Sequence, residues 1–254
     1  MYISIVIMML LSHKCISAIK QSASSPYTYT FSKSIKTITL TIGQKIYWDM
    51  LNAKETPLVV GTGPAGCGKT MLACSAAVKG FREGTVKKII LTRPVVSVSD
   101  ENLGYLPGTV SSKMDPWMRP LYDSLYDYYT TKEVNTMIHD GHIEIAPLGF
   151  MRGRTFKNAW IIADEMQNST PGQMRMITTR IGEGSKLTIT GDLAQSDLSG
   201  KNGLTEFIEV CRDYGLMSSL TSIQCIELGK EDVKRSKIVA DILTMYQLHE
   251  RGTK

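Results

Sequence analysis

The segment Gly63-Pro64-Ala65-Gly66-Cys67-Gly68-Lys69-Thr70 constrains this chain more than any other feature. It satisfies GxxxxGK[ST] and lies between an aliphatic run, Leu58 to Gly61, and a helical run, Lys69 to Phe81. In a strand, loop, helix order, the glycines let the backbone turn so that successive N–H groups and a helix N-terminus point at phosphates. Lys69 then supplies a point charge to the β and γ phosphates, and the Thr70 hydroxyl supplies a ligand for Mg²⁺.

Two further strand ends extend the pattern. Ala159-Trp-Ile-Ile-Ala163 runs into Asp164 and Glu165. Asp164 is placed to hold the hydration shell of the metal, and Glu165 to polarise an attacking water as general base. Leu187-Thr-Ile-Thr190 runs into Gly191-Asp192-Leu-Ala-Gln195, which makes Thr190 and Gln195 the expected sensors of a γ phosphate. The three motifs together point to hydrolysis of a nucleoside triphosphate. No NKxD-type guanine element is present, and the amide of Gln44 can both donate to and accept from adenine, so ATP is the expected nucleotide, with Gln44 reading the base.

From about Thr37 onward, short aliphatic runs alternate with helical stretches, the signature of a parallel sheet with crossover helices. Expected strands are Leu58 to Gly61, Lys88 to Thr92, His142 to Ala146, Ala159 to Ala163, Lys186 to Thr190 and Ser222 to Leu228. Helical periodicity covers Lys69 to Phe81, Pro116 to Tyr129, Lys132 to His139, Pro171 to Thr179, Gly203 to Tyr214 and Asp232 to Leu248. Between Val95 and Arg119, Ser, Gly and Pro break both periods, which predicts a long loop whose Asp100, Glu101, Tyr105, Lys113 and Trp117 are candidates for partner contact.

With 254 residues, 43% hydrophobic and 21% charged, the composition excludes a disordered or collagen-like chain and fits one sizeable domain. The net charge of +5 is uneven: residues 1–57 carry six lysines against Asp49 and Glu55, leaving the body at +1. Bulk charge therefore argues for no nucleic-acid partner. Five cysteines without a CxxC pair exclude a disulfide framework and a zinc site and fit a reducing, cytoplasmic setting.

Residues 1–36 read as an N-terminal arm, disordered or targeting, and 37–254 as the single domain. Met1 to Ser12 is apolar but shorter than the roughly 20 residues of a spanning helix, so no stable membrane association is expected. A cleaved peptide that directs the chain to an organelle and a misassigned start codon both remain open for it.

The chain resembles the PhoH family, related to the RecA-like core of superfamily-one helicases, over about Thr37 to Tyr246. The resemblance rests on Gly63 to Thr70, Leu91-Thr-Arg93-Pro94, Leu103-Gly-Tyr-Leu-Pro107-Gly, Asp115-Pro-Trp-Met-Arg119, Met151-Arg152-Gly-Arg154-Thr, Asp164-Glu165-Met-Gln167-Asn168 and Thr190-Gly-Asp192-Leu-Ala-Gln195. It implies a single RecA-like P-loop α/β domain, mostly parallel with helices on both faces, that binds and hydrolyses ATP, with a link to phosphate starvation by family name and a role in RNA metabolism. Departures are Cys67, where a small residue is usual, and Met166 in place of alanine. Cys67 puts a thiol among the phosphate-binding amides, which predicts sensitivity to oxidation. The arm is too short for a PIN-type or KH-type module, so a stand-alone ATPase core is expected.

One lobe lacks the arginine that a second lobe supplies in helicases, so an arginine in trans is expected from a homo-oligomer, a ring such as a hexamer. Arg235 is the first candidate, with Arg180 and Arg154 behind it. Catalytic roles thus fall to Lys69, Glu165, Gln195 and Arg235. The main reading is an ATPase coupled to single-stranded RNA; the alternatives are a nucleotide-switched binding protein and a small-molecule kinase.

Overall fold

A computed structural model describes residues 5–6, 33, 39–95, 119–197, 200–215, 222–234, 238 and 245. Its centre is built from the aliphatic runs, of which the four inner ones, Leu58–Thr62, Lys88–Thr92, Ala159–Ala163 and Lys186–Gly191, are too apolar to leave either face in water. Strands β3 (Leu58–Thr62), β4 (Lys88–Thr92), β5 (Ile143–Ile145), β6 (Ala159–Ala163), β7 (Lys186–Gly191) and β8 (Ile223–Glu227) form one sheet in the order β5-β4-β6-β7-β3-β8, every pair parallel. Near-continuous Val, Ile and Leu is what a parallel sheet covered on both sides requires. A separate antiparallel pair joins β1 (Ile5–Val6) to β2 (Thr39–Leu40).

Alternation along the strands sorts the core into two layers. Val59, Ile89, Leu91, Trp160 and Ile162 face one cluster, packed with Tyr47 and Leu51 of α1 (Ile42–Asn52), Leu72 and Ala77 of α2 (Lys69–Arg82), Leu121 and Leu125 of α3 (119–126) and Met137 of α4 (Thr131–His139). Leu58, Val60, Ile90, Ile161, Leu187 and Ile189 face the other, against Met174 and Ile177 of α5 (Pro171–Thr178) and Leu204 of α6 (Gly203–Gly215). Helices therefore cover both faces, as the alternating pattern predicts. Among the described residues no helix is long and apolar enough to cross a membrane.

Three differences from the sequence reading have local causes. Helix α1 was not among the expected helices; it starts at a capping box in which Thr41 accepts from the Gln44 N–H while the Gln44 side chain accepts from Thr41, and it buries Tyr47, Trp48 and Leu51 on one stripe. The helix expected from Asp232 does not start there: Asp232 closes a short 3₁₀ turn (Lys230–Asp232) because its carboxylate accepts from the Gly229 N–H and the Thr41 hydroxyl. Ile238 and Met245 are helical. Third, β7 runs one residue past Thr190, pairing Gly191 with Thr62. The expected partner-contact loop falls on 96–118, outside the described residues.

Because β6 is central and Ile161 fully buried, Ile161→Ala should cost about 2–5 kcal/mol of unfolding free energy, whereas Thr170→Ala, which removes only the α5 cap, should cost about 1 kcal/mol. Urea unfolding of both variants checks the ranking; equal losses would mean that the sheet interior is not the main source of stability.

Candidate functional site

The phosphate loop with Lys69 and Thr70, the pair Asp164 and Glu165, and Gln195 collect at the carboxyl ends of β3, β6 and β7, where open parallel sheets place ligands. The loop after β3 turns on Gly63, Gly66 and Gly68, with φ of 137°, 86° and 89°. At Gly63 a side chain would also collide with the Leu228 carbonyl, so the position excludes one twice. Pro64 and Ala65 lie half-buried and Gly66 exposed at the loop crest.

Helix α2 begins at Lys69 behind Gly68, with no side-chain cap and no acid in its first turn. By contrast α1, α4 and α5 each carry a threonine capping box, at Thr41, Thr130 and Thr170. The uncapped helix is therefore the one that follows the glycine loop, where its N–H groups and dipole are free to hold an anion. The Lys69 ammonium lies over the loop, donating to the carbonyls of Gly63 at 2.6 Å and Pro64 at 3.0 Å.

Strand β7 lies between β3 and β6, and this order decides the metal-binding corner. Thr70 Oγ1 donates to Asp164 Oδ1 at 2.7 Å, and Thr190 Oγ1 donates to the same oxygen at 2.5 Å. Asp164 is buried, with 5% of its surface exposed. A buried carboxylate must be bonded, and two hydroxyls meet that need at Oδ1. Thr190 is therefore no phosphate sensor of the kind expected: it is fully buried and orients the carboxylate.

Glu165 stands next to Asp164 in a left-handed conformation (φ 54°, ψ 38°) that non-glycine residues seldom adopt. Its Oε2 accepts from Gln167 Nε2 at 2.5 Å, and Oε1 lies 3.7 Å from Arg93 Nη2 at the end of β4. Gln167 is buried, and its Oε1 accepts from the Asp192 N–H at 3.1 Å. Arg93 and Gln167 stood in the sequence motifs without a role; the only signal for them was their position at a strand end and two residues after the carboxylate pair. Gln195 is exposed on the turn after β7, its N–H donating to the Asp192 carbonyl at 3.1 Å.

The remaining candidates sit elsewhere or are otherwise engaged. Gln44 is buried: Nε2 donates to the carbonyls of Cys67 and Asp232, both at 3.0 Å, and Oε1 accepts from the Thr41 N–H. A contact to adenine would require those bonds to be exchanged. Arg154 pairs with Glu144 and stacks on Phe156 at 4.6 Å, and Arg180 bonds the Arg154 and Met176 carbonyls, so both brace the sheet edge. Arg235 lies outside the described residues.

The expectation for Cys67 is corrected. Its side chain is fully buried, and burial pushes the thiol up by more than Lys69 pulls it down. It is not an exposed, reactive thiolate. Cys74, buried beneath, is pushed up to about 12 by the same cause.

These residues fit a nucleotide with Mg²⁺: the glycine cradle tolerates no side chain at Gly63, the helix N-terminus is uncapped, and a hydroxyl meets a carboxylate where the metal would lie. No group of three or more His, Cys, Asp or Glu is gathered as a metal site among the described residues.

Fold and site thus define a P-loop nucleotide-binding α/β domain. The family described as PhoH-like protein matches residues 35–247, and the chain belongs to it. Its relatives include the PhoH-like proteins of Bacillus subtilis (strain 168), 46% identical over 206 residues, covering 81% of this chain and 62% of that one, and of Mycobacterium tuberculosis (strain ATCC 25618 / H37Rv), 44% identical over 212 residues, covering 83% and 58%. The chain spans about six tenths of the length of these relatives. Among solved structures, the Pif1 helicase from Candida albicans shares 15% identity over 76% of this chain and 40% of that one, with a TM-score of 0.38.

Gly63→Ala should destabilise the protein by about 1–3 kcal/mol, because a positive φ and the Leu228 carbonyl both oppose the methyl group. Gly84→Ala, with positive φ but open space around it, should cost less. Thermal unfolding of the pair is the check, and a larger loss at Gly84 would contradict the packed loop.

Proposed function

We propose that residues 37–254 hydrolyse ATP with Mg²⁺ and couple that hydrolysis to binding or remodelling of single-stranded RNA, residues 1–36 forming an arm. The observation that carries the ATPase reading is the convergence of the Thr70 and Thr190 hydroxyls on one oxygen of Asp164, with Glu165 beside it. The loop N–H groups and Lys69 bind and orient the phosphates. Thr70 and Asp164 would hold Mg²⁺, which when bound neutralises charge on the phosphate oxygens. Glu165 accepts a proton from the attacking water at its carboxylate, held in place by Gln167 and Arg93; Gln195, on the adjoining turn, senses the γ phosphate. The RNA partner follows from family resemblance rather than from charge, and the cytoplasmic setting from unpaired thiols.

The arginine for the transition state is assigned to a second copy, with Arg235 as its source, in a ring such as a hexamer. Arg93 is already beside Glu165, and Arg154 and Arg180 are engaged at the far sheet edge, which supports a source in trans.

Steady-state ATPase assays, nucleotide-binding titrations and solution mass test the reading together. Lys69→Ala should abolish turnover. Glu165→Gln should still bind ATP while kcat falls by about 10²–10⁴-fold, the usual worth of a general base. Arg235→Ala should bind ATP but hydrolyse it poorly, and a fully active monomeric wild type would remove the arginine in trans. Single-stranded RNA should raise the rate in a salt-dependent way. If no nucleic acid stimulates turnover, a nucleotide-switched binding protein is the better reading; ADP release without free phosphate would point to a kinase.

A further inference from the structure

Net charge points to no partner, but the fold gathers charge that the sequence spreads out. The β4–β6 register sets Lys88 opposite Ala159, and the Lys87 N–H donates to the Asn158 carbonyl at 2.7 Å, so Lys87 and Lys88 come to Lys157 from far away in the chain. Arg154 joins them, and the four cations line one cleft of about 430 Å³ at the amino ends of β4 and β6. Buried Ile90, Phe156 and Ala159 give it an apolar floor. The nucleotide site lies at the carboxyl ends of the strands, so the cleft is at the opposite end of the sheet, and no residue of the phosphate loop lines it.

The acids do not balance these cations. Asp140 is the one acid in the lining, and its Oδ1 lies 3.2 Å from His139 Nδ1. On β5, Glu144 is shared: its Oε2 accepts from Lys88 Nζ at 3.3 Å and from Arg154 Nη2 at 2.9 Å, and its Oε1 accepts from Arg154 Nη1. Lys87 and Lys157 are both exposed, and among the described residues neither ammonium has a hydrogen bond or ion pair. With Asp140 and Glu144 set against the four cations the cleft carries +2, whereas residues 58–254 together carry +1. A concave surface of one sign over a low-dielectric floor focuses its field and concentrates ions of the opposite sign.

We infer that this cleft binds the sugar–phosphate backbone of a single-stranded nucleic acid, at a site separate from that of the nucleotide. The kind of cation decides against a compact phosphate. Tight capture of one phosphate group takes a guanidinium fork or converging donors, and the fork here, Arg154, is engaged with Glu144. Lysines are point charges on flexible stems, which suits successive phosphates along a chain. The rings beside the cleft are already packed: Phe156 lies under the Arg154 guanidinium at 4.6 Å, and His142 packs edge-on against Phe81 at 5.5 Å. The backbone rather than the bases is therefore the part of the strand that is held. The inference deepens the RNA part of the reading above and rests on it, and it is independent of ATP hydrolysis.

The full chain is titrated into a fluorescein-labelled single-stranded oligouridine without ATP, and polarisation is read over a series of salt concentrations. Wild type is compared with the double variant Lys87→Ala, Lys157→Ala and with Lys157→Glu alone. The control, Lys45→Ala with Lys54→Ala, removes the same charge on α1 and just beyond it. The slope of log affinity against log salt should be shallower by about 1.4 in the cleft double variant, since each phosphate contact to a single strand contributes about 0.7. Lys157→Glu should also weaken binding, the control should behave as wild type, and Tm should be unchanged throughout because the cleft lysines are exposed. An unchanged slope in the cleft variants, or an equal loss in the control, would overturn the site and leave the RNA reading standing. A wild type that binds no oligouridine would overturn both. Calorimetry with inorganic tripolyphosphate covers the remaining case: tight binding that is lost in the cleft double variant and does not compete with oligouridine would make the cleft a compact-phosphate site and overturn the inference.

Discussion

One buried oxygen, Oδ1 of Asp164, organises the carboxyl edge of the sheet. It accepts from Thr70 on α2 and from Thr190 at the end of β7, and the Asp164 N–H donates to the Thr92 carbonyl of β4. A carboxylate at this depth is tolerable only when it is bonded, so the three elements are held in one arrangement by the cost of leaving it bare. The phosphate loop lies between β3 and α2 and inherits its orientation from this anchor. Glu165 inherits its own from the same turn.

The loop is walled by chain segments far from it in sequence. Gln44 reaches it from α1, and Leu228, Asp232 and Lys234 from the segment after β8. Asp232 also takes the Thr41 hydroxyl, so the start of α1 and the turn after β8 are bonded to each other behind the loop. Nucleotide-dependent rearrangement of either segment would be felt by the other, since the two share Gln44. This closed ring of polar contacts gives Gln44 a bracing part that its amide chemistry alone does not reveal.

A second ring of contacts links the carboxylate pair to the turn after β7. Gln167 bonds both Glu165 and the Asp192 N–H, Ser196 donates to the Gln167 carbonyl at 3.0 Å, and Asn168 exchanges two bonds with Asp197, each 2.9 Å. The residue expected to polarise water and the turn that carries Gln195 are therefore bonded to each other through Gln167. The bond from the Asp192 N–H to Gln167 is the buried member of this ring, and breaking it would strand both partners.

The local code of the sequence determined the strands, the glycine loop and the paired acids. Aliphatic runs of about five residues have one stable setting, a sheet covered on both faces, and Gly63 to Thr70 is read directly from which residues allow positive φ. Helix α1 was legible too, in the Thr41 to Gln44 spacing, but its Ser- and Thr-rich approach obscured it. What only the tertiary structure decided was which polar groups meet. Strand order put Thr190 beside Asp164 rather than toward a phosphate, the turn at Asp232 replaced a helix start because a carboxylate found Thr41, and packing buried Cys67. Periodicity and turn chemistry act within a few residues, whereas hydrogen bonds across well over a hundred residues depend on how the layers stack, which no local pattern encodes.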